Sequence, residues 1–313
     1  MRSPAEGGVE TRDRPSRARR RPRRRVFVIA NPAAGALTSR RLALMITALE
    51  AHGCSVRVHQ TNRPGEAEHL VAESDLGNVD AIAAAGGDGT FNEVLNGLPQ
   101  TAPPLAVIPF GTVNVLAKEI GLKPSIGMIA HTVVFGNSRR ISIGEANGRR
   151  FALMASVGLD AMAVDNINVA LKERLGRLAY VYEALKQLTI GSSTTYQLCI
   201  EGRRQEARGV IVANGRRYAG DYITSPHADL EKPLLDVCRL KNTGRSAPAL
   251  CFLSLLRGQF ARRDDISITE TSEFEILGPK DAPLQADGDV LCRLPATIRV
   301  LPRAVDLIFP VHS

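Results

Sequence analysis

A glycine-rich turn between an apolar run and a helical pattern constrains this chain more than any other feature. Residues 80–85 (DAIAAA) form a run long enough for a buried strand, and residues 86–90 (GGDGT) follow at once. Over residues 90–98 the apolar side chains then recur at helical spacing. The pattern predicts a strand–turn–helix unit, which is the building block of α/β sheets.

The composition of this turn is typical of phosphate binding. Glycine lets a ligand approach the backbone closely, and the free N–H groups at the start of a helix favour anions. The carboxylate of Asp88 would repel a bare phosphate, so its presence indicates a bridging cation such as Mg²⁺. The alternative is a tight glycine turn without a ligand, which any α/β sheet can contain.

The N-terminal half of the chain alternates between predicted strands and helices. The strands are residues 26–30, 55–59, 80–85 and 105–109, and the helices are residues 39–52, 66–73, 90–98, a segment ending at 120, and 124–134. This alternation predicts a parallel sheet, whose ligands bind beyond the carboxyl ends of the strands. The turns that begin at Asn31, Gly86 and Gly111 all follow strand ends, so we expect them to share one rim.

From residue 139 onward the pattern changes to many short strands. They are residues 140–146, 151–156, 196–201, 207–213, 234–240, 266–270, 274–277, 297–301 and 305–309, with helices at 159–188 and 246–260. Such a series is typical of an antiparallel sandwich. We therefore predict an α/β domain over residues 26–138 and a β-sandwich domain over residues 139–300.

Residues 1–25 form an arginine-rich tail without an apolar period. They hold ten arginines against three acidic residues, a balance of +7, whereas the rest of the chain carries only +1. A segment of this composition is expected to be disordered. It could add affinity for an anionic membrane surface, or it could be an extension without function. Because the charge lies in the tail, the folded body gives no electrostatic indication of nucleic-acid binding.

Several other classes are disfavoured by the sequence. No run reaches the roughly 18 apolar residues that a membrane-spanning helix needs. The tail lacks the apolar stretch of a signal peptide. The five cysteines are far apart and form no Cys-x-x-Cys pair, which disfavours a zinc site and a disulfide framework. We therefore expect a cytoplasmic protein with reduced thiols.

Six motifs occur in order along the chain. They are NPxxG from Asn31, GGDGT from Gly86 with NEV from Asn92, PxGTxN from Pro109, GxD from Gly158, ANGxxYxG from Ala213 and DGD from Asp287. With this set the chain resembles the soluble lipid kinases that share the diacylglycerol kinase catalytic domain, a family that includes sphingosine and ceramide kinases. The resemblance covers residues 26–313. GGDGT alone also occurs in NAD kinases and in relatives of phosphofructokinase, so the specificity comes from the whole set.

The resemblance implies two domains with a cleft between them. The first would be an α/β nucleotide-binding domain like that of NAD kinase and diacylglycerol kinase, and it would bind ATP. The second would be an antiparallel β-sandwich, with the lipid headgroup held between the two, and residues 301–313 would return to the first domain. The residues that the resemblance assigns to nucleotide binding are Asn31, Thr61, Gly86, Gly87, Asp88, Gly89, Thr90, Phe91, Asn92 and Thr112.

The resemblance places the catalytic base in the DGD segment, residues 287–289. Relatives usually carry glutamate at the third position, where this chain has Asp289, a side chain shorter by about 1.5 Å. A misplacement of about 1 Å can reduce a rate about a hundredfold. Either the backbone compensates, or Asp287 acts as the base, or activity is low. The segment could also be only a surface turn.

A second departure lies at the structural Mg²⁺ site that the resemblance implies. Relatives usually carry DGLLD there, with the first aspartate and nearby carbonyls as ligands, whereas this chain reads KPLLD from Lys232. Lysine has no acceptor and cannot bind the ion. Its ammonium could replace the charge of the ion by pairing with Asp229 or Glu231, or those two carboxylates could rebuild a metal site. The expected metal ligands are Asp88, Asp229 and Leu234.

The leading hypothesis is an ATP- and Mg²⁺-dependent lipid kinase that acts on diacylglycerol or a similar lipid at the inner membrane face. Asp160 would steady its catalytic centre through water, or would only cap a helix. The alternatives are an NAD kinase-like enzyme and a catalytically weak regulator that binds a nucleotide or a lipid. The expected partner is a lipid at the membrane surface, reached by peripheral contact through residues 246–260 and the tail. A homodimer is left open, and no specific nucleic-acid partner is expected.

Overall fold

The structure is a computed structural model, and it describes residues 22–158, 194–218, 220–241 and 247–311. In the first part of the chain the strands are β1 (Arg25–Ala30), β2 (Ser55–Gln60), β3 (Ala81–Gly86) and β4 (Leu105–Pro109), and the helices are α1 (Ser39–Ala51), α2 (Glu66–Glu73), α3 (Asp88–Gly97), α4 (Val115–Glu119) and α5 (Ile126–Phe135). Every strand and helix predicted for this part is present, with ends shifted by two residues at most.

The four strands form a parallel sheet in the order β2–β1–β3–β4. β3 and β4 are buried along their whole length, which requires cover on both faces of the sheet. The helices provide this cover in pairs, since α1 packs with α5 and α2 packs with α3. The predicted α/β domain is therefore confirmed.

The second part of the chain consists mainly of strands. They are β5 (Asn137–Ala146), β6 (Arg149–Phe151), β7 (Met154–Val157), β8 (Tyr196–Ile200), β9 (Arg203–Ala207), β10 (Gly209–Ala213), β11 (Arg217–Tyr218), β12 (Tyr222–Ile223), β13 (Leu235–Leu240), β14 (Ile266–Thr271), β15 (Glu273–Gly278), β16 (Pro283–Ala286), β17 (Asp289–Arg293) and β18 (Ala296–Phe309). A helix, α6 (Ala247–Leu256), and a 3-10 turn (Phe260–Arg262) lie between β13 and β14.

These strands form the predicted antiparallel sandwich. One layer is the six-stranded antiparallel sheet β14–β13–β10–β7–β16–β17. The other layer contains β18, β15, β8 and β9, which continue the sheet of the first domain. Buried side chains from both layers, such as Val212, Leu235, Tyr196 and Phe274, meet in a second core. The strands β11 and β12 form a separate short hairpin.

Two long antiparallel strands, β5 and β18, belong to both domains. Residues 137–141 pair with residues 305–309, and Leu307 also pairs with Leu105 of β4 in the first sheet. Residues 143–146 pair with residues 298–301 within the second domain. The predicted boundary between residues 138 and 139 thus falls inside β5, and the last strand runs back into the first domain. β5 and β18 thus cross from one domain to the other as a pair, and each strand belongs to both domains.

The last arginines of the predicted tail belong to the folded body. The guanidinium of Arg23 donates to the carbonyl of Gly136 at 3.0 Å and to the hydroxyl of Ser138 at 2.7 Å. Arg25 begins β1 and pairs with Asp80 at 2.7 Å, which lowers the pKa of that carboxyl. The tail boundary at residue 25 is therefore placed too late, because these side chains find carbonyl and carboxylate partners at the edge of the first domain. Residues 1–21 lie outside the described part.

Other differences from the predicted elements are local. Residues 151–156 form parts of two strands, β6 and β7, rather than one. The strands β9, β11, β12, β16 and β17 were not predicted. In β9 the mostly exposed, charged residues give no apolar signal. The two strands predicted at 297–301 and 305–309 are one strand, β18. The helix predicted at 159–188 lies outside the described residues. None of the helices described is both long and apolar enough to cross a membrane.

Candidate active site

The carboxyl ends of β1, β3 and β4 lie together at one rim. The N–H of Asn31, just after β1, donates to the carbonyl of Ala85 at 3.0 Å. The N–H of Gly111, just after β4, donates to the carbonyl of Gly86 at 2.9 Å. The structure therefore joins the three turns named from the sequence into one surface, which we call the floor of the site.

The first glycine of the GGDGT turn makes room for a threonine. A methyl group at Gly86 would lie 2.3 Å from Oγ1 of Thr90, which is buried. Nδ2 of Asn31 donates to the same hydroxyl at 3.2 Å, and its Oδ1 accepts from the N–H of Ala33 at 2.9 Å. Asn31 and Thr90 therefore fix the backbone of the floor, and Gly86 is required by their packing.

The floor is also held by a close approach of two glycines from different turns. A methyl group at Gly111 would lie 2.4 Å from Cα of Gly87. Asn114, at φ 51°, accepts from the N–H of Gly111 at 2.9 Å and donates to its carbonyl at 2.7 Å. On the third turn, a methyl group at Gly35 would lie 3.1 Å from Oγ1 of Thr112. The glycines of the motifs thus let three backbone segments pack without intervening side chains.

The helix α3 begins at this floor without a capping side chain. Its N-cap residue is Gly87, whose backbone is extended and which has no side chain to accept the first N–H groups. Uncapped N–H groups at the start of a helix, together with the positive end of its dipole, suit an anion. The backbone of residues 87–89 therefore fits a phosphate group.

The carboxylate of Asp88 points to the neighbouring helix α4. Its Oδ2 accepts from the N–H of Val115 at 3.0 Å, and its Oδ1 accepts from the N–H of Leu116 at 3.1 Å. Burial raises the pKa of Asp88, and these two hydrogen bonds oppose the shift. Asp88 thus caps the start of α4. Each oxygen keeps a second lone pair, so Asp88 could also bind a metal ion. The contacts that the structure gives it are those of a helix cap.

The second domain contributes a carboxylate to the floor. Asp289 begins β17, directly after the turn that joins β16 to β17, and it is exposed. A methyl group at Gly89 would lie 3.3 Å from Oδ2 of Asp289. This carboxylate of the second domain therefore stands against the first turn of α3 in the first domain. An acceptor for a proton lies beside a position suited to phosphate.

Asp287 has different surroundings, although it is only two residues away. Its Oδ2 accepts from the N–H of Ala152 at 2.6 Å, and its Oδ1 accepts from the N–H groups of Leu153 and Met154, both at 3.0 Å. Burial raises the pKa of Asp287 to about 6, and the three backbone hydrogen bonds oppose this shift. These donors occupy both oxygens, so the geometry favours Asp289 over Asp287 as the base.

Two of the predicted nucleotide residues lie below the floor. Thr61 is 7% exposed, and its N–H donates to the carbonyl of Ala30 at 2.9 Å. Phe91 is 2% exposed and packs in the core of the first domain. Asn92, one residue further along α3, is partly exposed, and its carbonyl accepts from Nδ2 of Asn96 at 2.9 Å. Thr61 and Phe91 thus support the site from the core.

The segment predicted to hold a structural metal is closed by a lysine. Nζ of Lys232 donates to the carbonyl of His227 at 3.0 Å and pairs with Glu270 of β14 at 3.2 Å. The expectation that Lys232 pairs with Asp229 or Glu231 is therefore wrong. The ammonium of Lys232 does place a positive charge in this segment, but its carboxylate partner, Glu270, lies on β14, the strand that pairs with β13.

The other candidate ligands of that metal are used locally. Oδ1 of Asp229 accepts from the N–H of Glu231 at 2.9 Å, and the carboxylate of Glu231 pairs with Arg139 at 3.2 Å. Leu234 directly precedes β13. Among the residues that the structure describes, no group of three or more His, Cys, Asp or Glu side chains could hold a metal ion. Lys232 therefore brings a positive charge to the segment where the resemblance implied the ion, and Asp229 and Glu231 are each engaged by other partners.

Sequence reasoning missed Glu119, which ties the two domains together. Its side chain is 4% exposed, and it accepts from Nε of Arg216 and from the N–H of Arg217, both at 3.1 Å. The neighbouring Lys118 pairs with Asp221 at 2.7 Å. An acidic residue at the C-terminal end of a helix interacts unfavourably with the helix dipole. This position of Glu119 could have indicated that its carboxylate has a cationic or N–H partner elsewhere in the chain. α4 is thus held by Asp88 at its start and by the β11–β12 hairpin at its end.

Asn214, part of the ANGxxYxG motif, holds the same connection as Asp287. It is fully buried, and its Nδ2 donates to the carbonyls of Ser142 at 2.9 Å and Ala152 at 2.6 Å. Its own N–H donates to the carbonyl of Leu153 at 2.8 Å. Asn214 therefore ties the end of β10 to β5 and to the connection between β6 and β7. Asp160, the other candidate of the second domain, lies outside the described residues.

The fold and the site together define a two-domain kinase, and the comparisons agree. Residues 25–146 match the family described as "Diacylglycerol kinase catalytic domain". Residues 154–309 match the family described as "YegS C-terminal NAD kinase beta sandwich-like domain". The chain belongs to the family of soluble lipid kinases with the diacylglycerol kinase catalytic domain, and it is a lipid kinase. The resemblance read from the six motifs is confirmed.

Relatives match along most of the chain. A diacylglycerol kinase of Mycobacterium tuberculosis is 30% identical over 257 residues, which are 79% of this chain and 82% of the relative. A diacylglycerol kinase of Bacillus subtilis is 29% identical over 293 residues, 92% of this chain and 97% of the relative. The crystal structure of a diacylglycerol kinase from Bacillus anthracis is 25% identical, with a TM-score of 0.75 over 92% of this chain and 97% of that one. These matches span both domains.

Proposed function

We propose that this protein transfers the γ-phosphoryl group of ATP to a hydroxyl of diacylglycerol or a related lipid. The reaction would depend on Mg²⁺ and take place at the inner face of the membrane. One observation carries the proposal: the exposed carboxylate of Asp289 stands against Gly89, at the uncapped start of α3. Phosphoryl transfer needs a proton acceptor close to a held phosphate, and a carboxylate beside an uncapped helix start supports this reaction.

The floor would hold the phosphates of the nucleotide. Backbone N–H groups at the start of α3 and the hydroxyl of Thr112 on the adjacent turn would serve in that role. Mg²⁺ bound with the phosphates would neutralise their charge. The ion commonly uses one or two carboxylates together with phosphate oxygens and water, so a cluster of three protein ligands is not required.

Asp289 would take the proton of the lipid hydroxyl. Its position is fixed by the turn before it, where the N–H of Gly288 donates to Oε1 of Gln285 at 3.2 Å and Asp287 is held by three backbone donors. The shorter side chain still reaches α3, since Oδ2 of Asp289 lies 3.3 Å from the methyl position of Gly89. The names of the relatives support a lipid acceptor, and diacylglycerol is the first to test.

The experiment is transfer of labelled phosphate from ATP, with Mg²⁺, to lipids in detergent-mixed micelles. Diacylglycerol, monoacylglycerol, phosphatidylglycerol and sphingosine are offered separately, and NAD is offered in parallel. We expect labelled lipid and no labelled NAD, with a loss of about 10²- to 10⁴-fold in Asp289→Asn. Labelled NAD would instead support the NAD kinase-like alternative, and ATP binding without turnover would support the regulator.

The choice of Asp289 for this test follows from the structure. Asp88→Ala would remove the cap of α4 together with any ligand role, so a loss of activity could reflect a displaced helix. Asp289 is exposed, and its substitution leaves the hydrogen bonds of Asp287 in place. Circular dichroism and the urea midpoint serve as the folding control.

A further inference from the structure

One face of α6 presents leucines to solvent. Leu250, Leu253 and Leu256 lie at helical spacing and are 46%, 39% and 44% exposed. Leu255, by contrast, is buried in a small core that α6 forms with the second domain. Core packing thus accounts for one side of the helix. We call the three exposed residues the leucine face.

Basic side chains border the leucine face. A groove of about 410 Å³ runs beside it, and the exposed residues Arg257 and Arg262 line this groove. Arg263 also lines it but pairs with Asp265 at 2.6 Å, and Asp264 is an exposed acidic neighbour. Apolar side chains with arginines at their border suit a bilayer with anionic headgroups, since the leucines can enter the acyl region while the guanidiniums stay at headgroup level.

The leucine face is one hairpin away from the candidate active site. α6 packs against β12, where Ile223 is a further exposed apolar residue, and β12 pairs with β11. The N–H of Arg217 on β11 donates to Glu119 of α4, the helix that Asp88 caps. A bilayer seated on α6 would therefore contact a hairpin that is hydrogen-bonded to α4.

We propose that the leucine face, with Arg257 and Arg262, docks this protein on an anionic phospholipid bilayer. The inference rests on the proposed function, because a lipid kinase must reach an acceptor that lies in a membrane. Exposed apolar patches also mark protein interfaces, so a second copy of the chain or its own residues 159–193 are the competing occupants. The bordering arginines favour the lipid over both.

The test is sedimentation of the full-length protein with vesicles of phosphatidylcholine, with and without phosphatidylglycerol. The variant Leu253→Ser/Leu256→Ser is compared with Leu44→Ser/Met128→Ser, which removes two exposed apolar residues from α1 and α5. The variant Arg257→Gln/Arg262→Gln is compared with Arg203→Gln/Arg204→Gln, two exposed arginines on β9. The arginine-rich N-terminus is present in every protein, so each variant is compared with its control at the same tail charge.

We expect binding that requires phosphatidylglycerol and weakens with salt. Each α6 variant should reduce vesicle affinity about tenfold or more, and each control should leave it within about twofold. Equal losses in the controls would indicate diffuse attraction and would overturn the proposal. So would α6 variants that bind vesicles like the wild type, or that change only the oligomeric state or the urea midpoint.

Kinase activity in detergent-mixed micelles separates this inference from the proposed function. The α6 variants should keep that activity, because the lipid there is presented without a bilayer, and should lose it on vesicles. A wild-type protein that binds vesicles through α6 but phosphorylates no lipid would leave the docking surface standing and refute the kinase. A protein that is active in micelles but binds vesicles independently of α6 would support the kinase and refute the docking surface.

Discussion

Asp287 and Asp289 are two residues apart, yet they have different surroundings, because the carboxylate of Asp287 accepts from the backbone N–H groups of residues 152–154. Asp289 is exposed and reaches Gly89 in the other domain. The difference arises because the turn between β16 and β17 directs one side chain into the second domain and the other toward α3 of the first domain. Two similar residues therefore have separable roles, which substitution can distinguish.

For Asp289 we expect a catalytic effect without a folding effect. Asp289→Asn should reduce phosphoryl transfer by about 10²- to 10⁴-fold, since the amide cannot accept the proton. Asp289→Glu keeps a carboxylate but moves it by about 1.5 Å, so its rate should lie between those of Asp289→Asn and the wild type. The measurement is initial rate with labelled ATP, alongside the urea midpoint. Full activity in Asp289→Asn would assign the base elsewhere.

For Asp287 we expect a folding effect. In Asp287→Asn the amide group would face backbone N–H donors and leave at least one unsatisfied, at a cost of about 2 kcal/mol in the free energy of unfolding. The urea midpoint of the purified variant checks this. If Asp287→Asn unfolded like the wild type but lost all turnover, Asp287 rather than Asp289 would be the base.

The stability that Asp287 contributes should also depend on pH. Its pKa in the folded state is raised to about 6, above the usual carboxyl value of about 4. Between these values the folded state binds the proton more readily than the unfolded state, so the contribution falls as pH rises through this window and is constant above about pH 7. The difference between wild type and Asp287→Asn in urea unfolding should shrink from pH 4 to pH 7. A difference that grows with pH would contradict the assignment.

Gly89→Ala should separate stability from activity. Alanine in a helix favours stability by up to about 1 kcal/mol over glycine, but this methyl group would lie 3.3 Å from Oδ2 of Asp289. We expect an unchanged or raised urea midpoint with activity lowered about tenfold or more. Gly127→Ala in α5 is the matched control, because nothing lies within 4 Å of its methyl position. It should keep full activity, and equal losses in both variants would refute the role of the cleft contact.

Lys232 should make the second domain independent of a structural metal. Its pair with Glu270 is partly exposed, so Lys232→Met should lower the free energy of unfolding by at most about 1 kcal/mol. Lys123→Met, at an exposed lysine of the first domain, should have no effect. EDTA should leave the urea midpoint of the wild type unchanged while it stops phosphoryl transfer. A midpoint that rises with Mg²⁺ in the absence of nucleotide would show that an ion does bind here.

The strands and helices of the first domain were predictable because their signals are local. Apolar runs of strand length, helical spacing and glycine turns placed Asn31, Gly86 and Gly111 at strand ends, and parallel topology then brought them to one rim. The exposed strand β9 and the split between β6 and β7 carried no such signal. The split between β6 and β7 is set by Asp287, which lies far along the chain and accepts from the N–H groups of residues 152–154.

The sequence by itself determined the glycine-rich turn between β3 and α3, the order of an α/β domain and a β-sandwich, and the two candidate aspartates. Only the tertiary structure decided that Asp88 caps α4, that Lys232 pairs with Glu270, and that Asp289 rather than Asp287 faces α3. The physical reason is that backbone propensity and apolar period act between near neighbours. Burial and hydrogen-bond partners of a carboxylate depend instead on distant segments, which the paired strands β5 and β18 bring together.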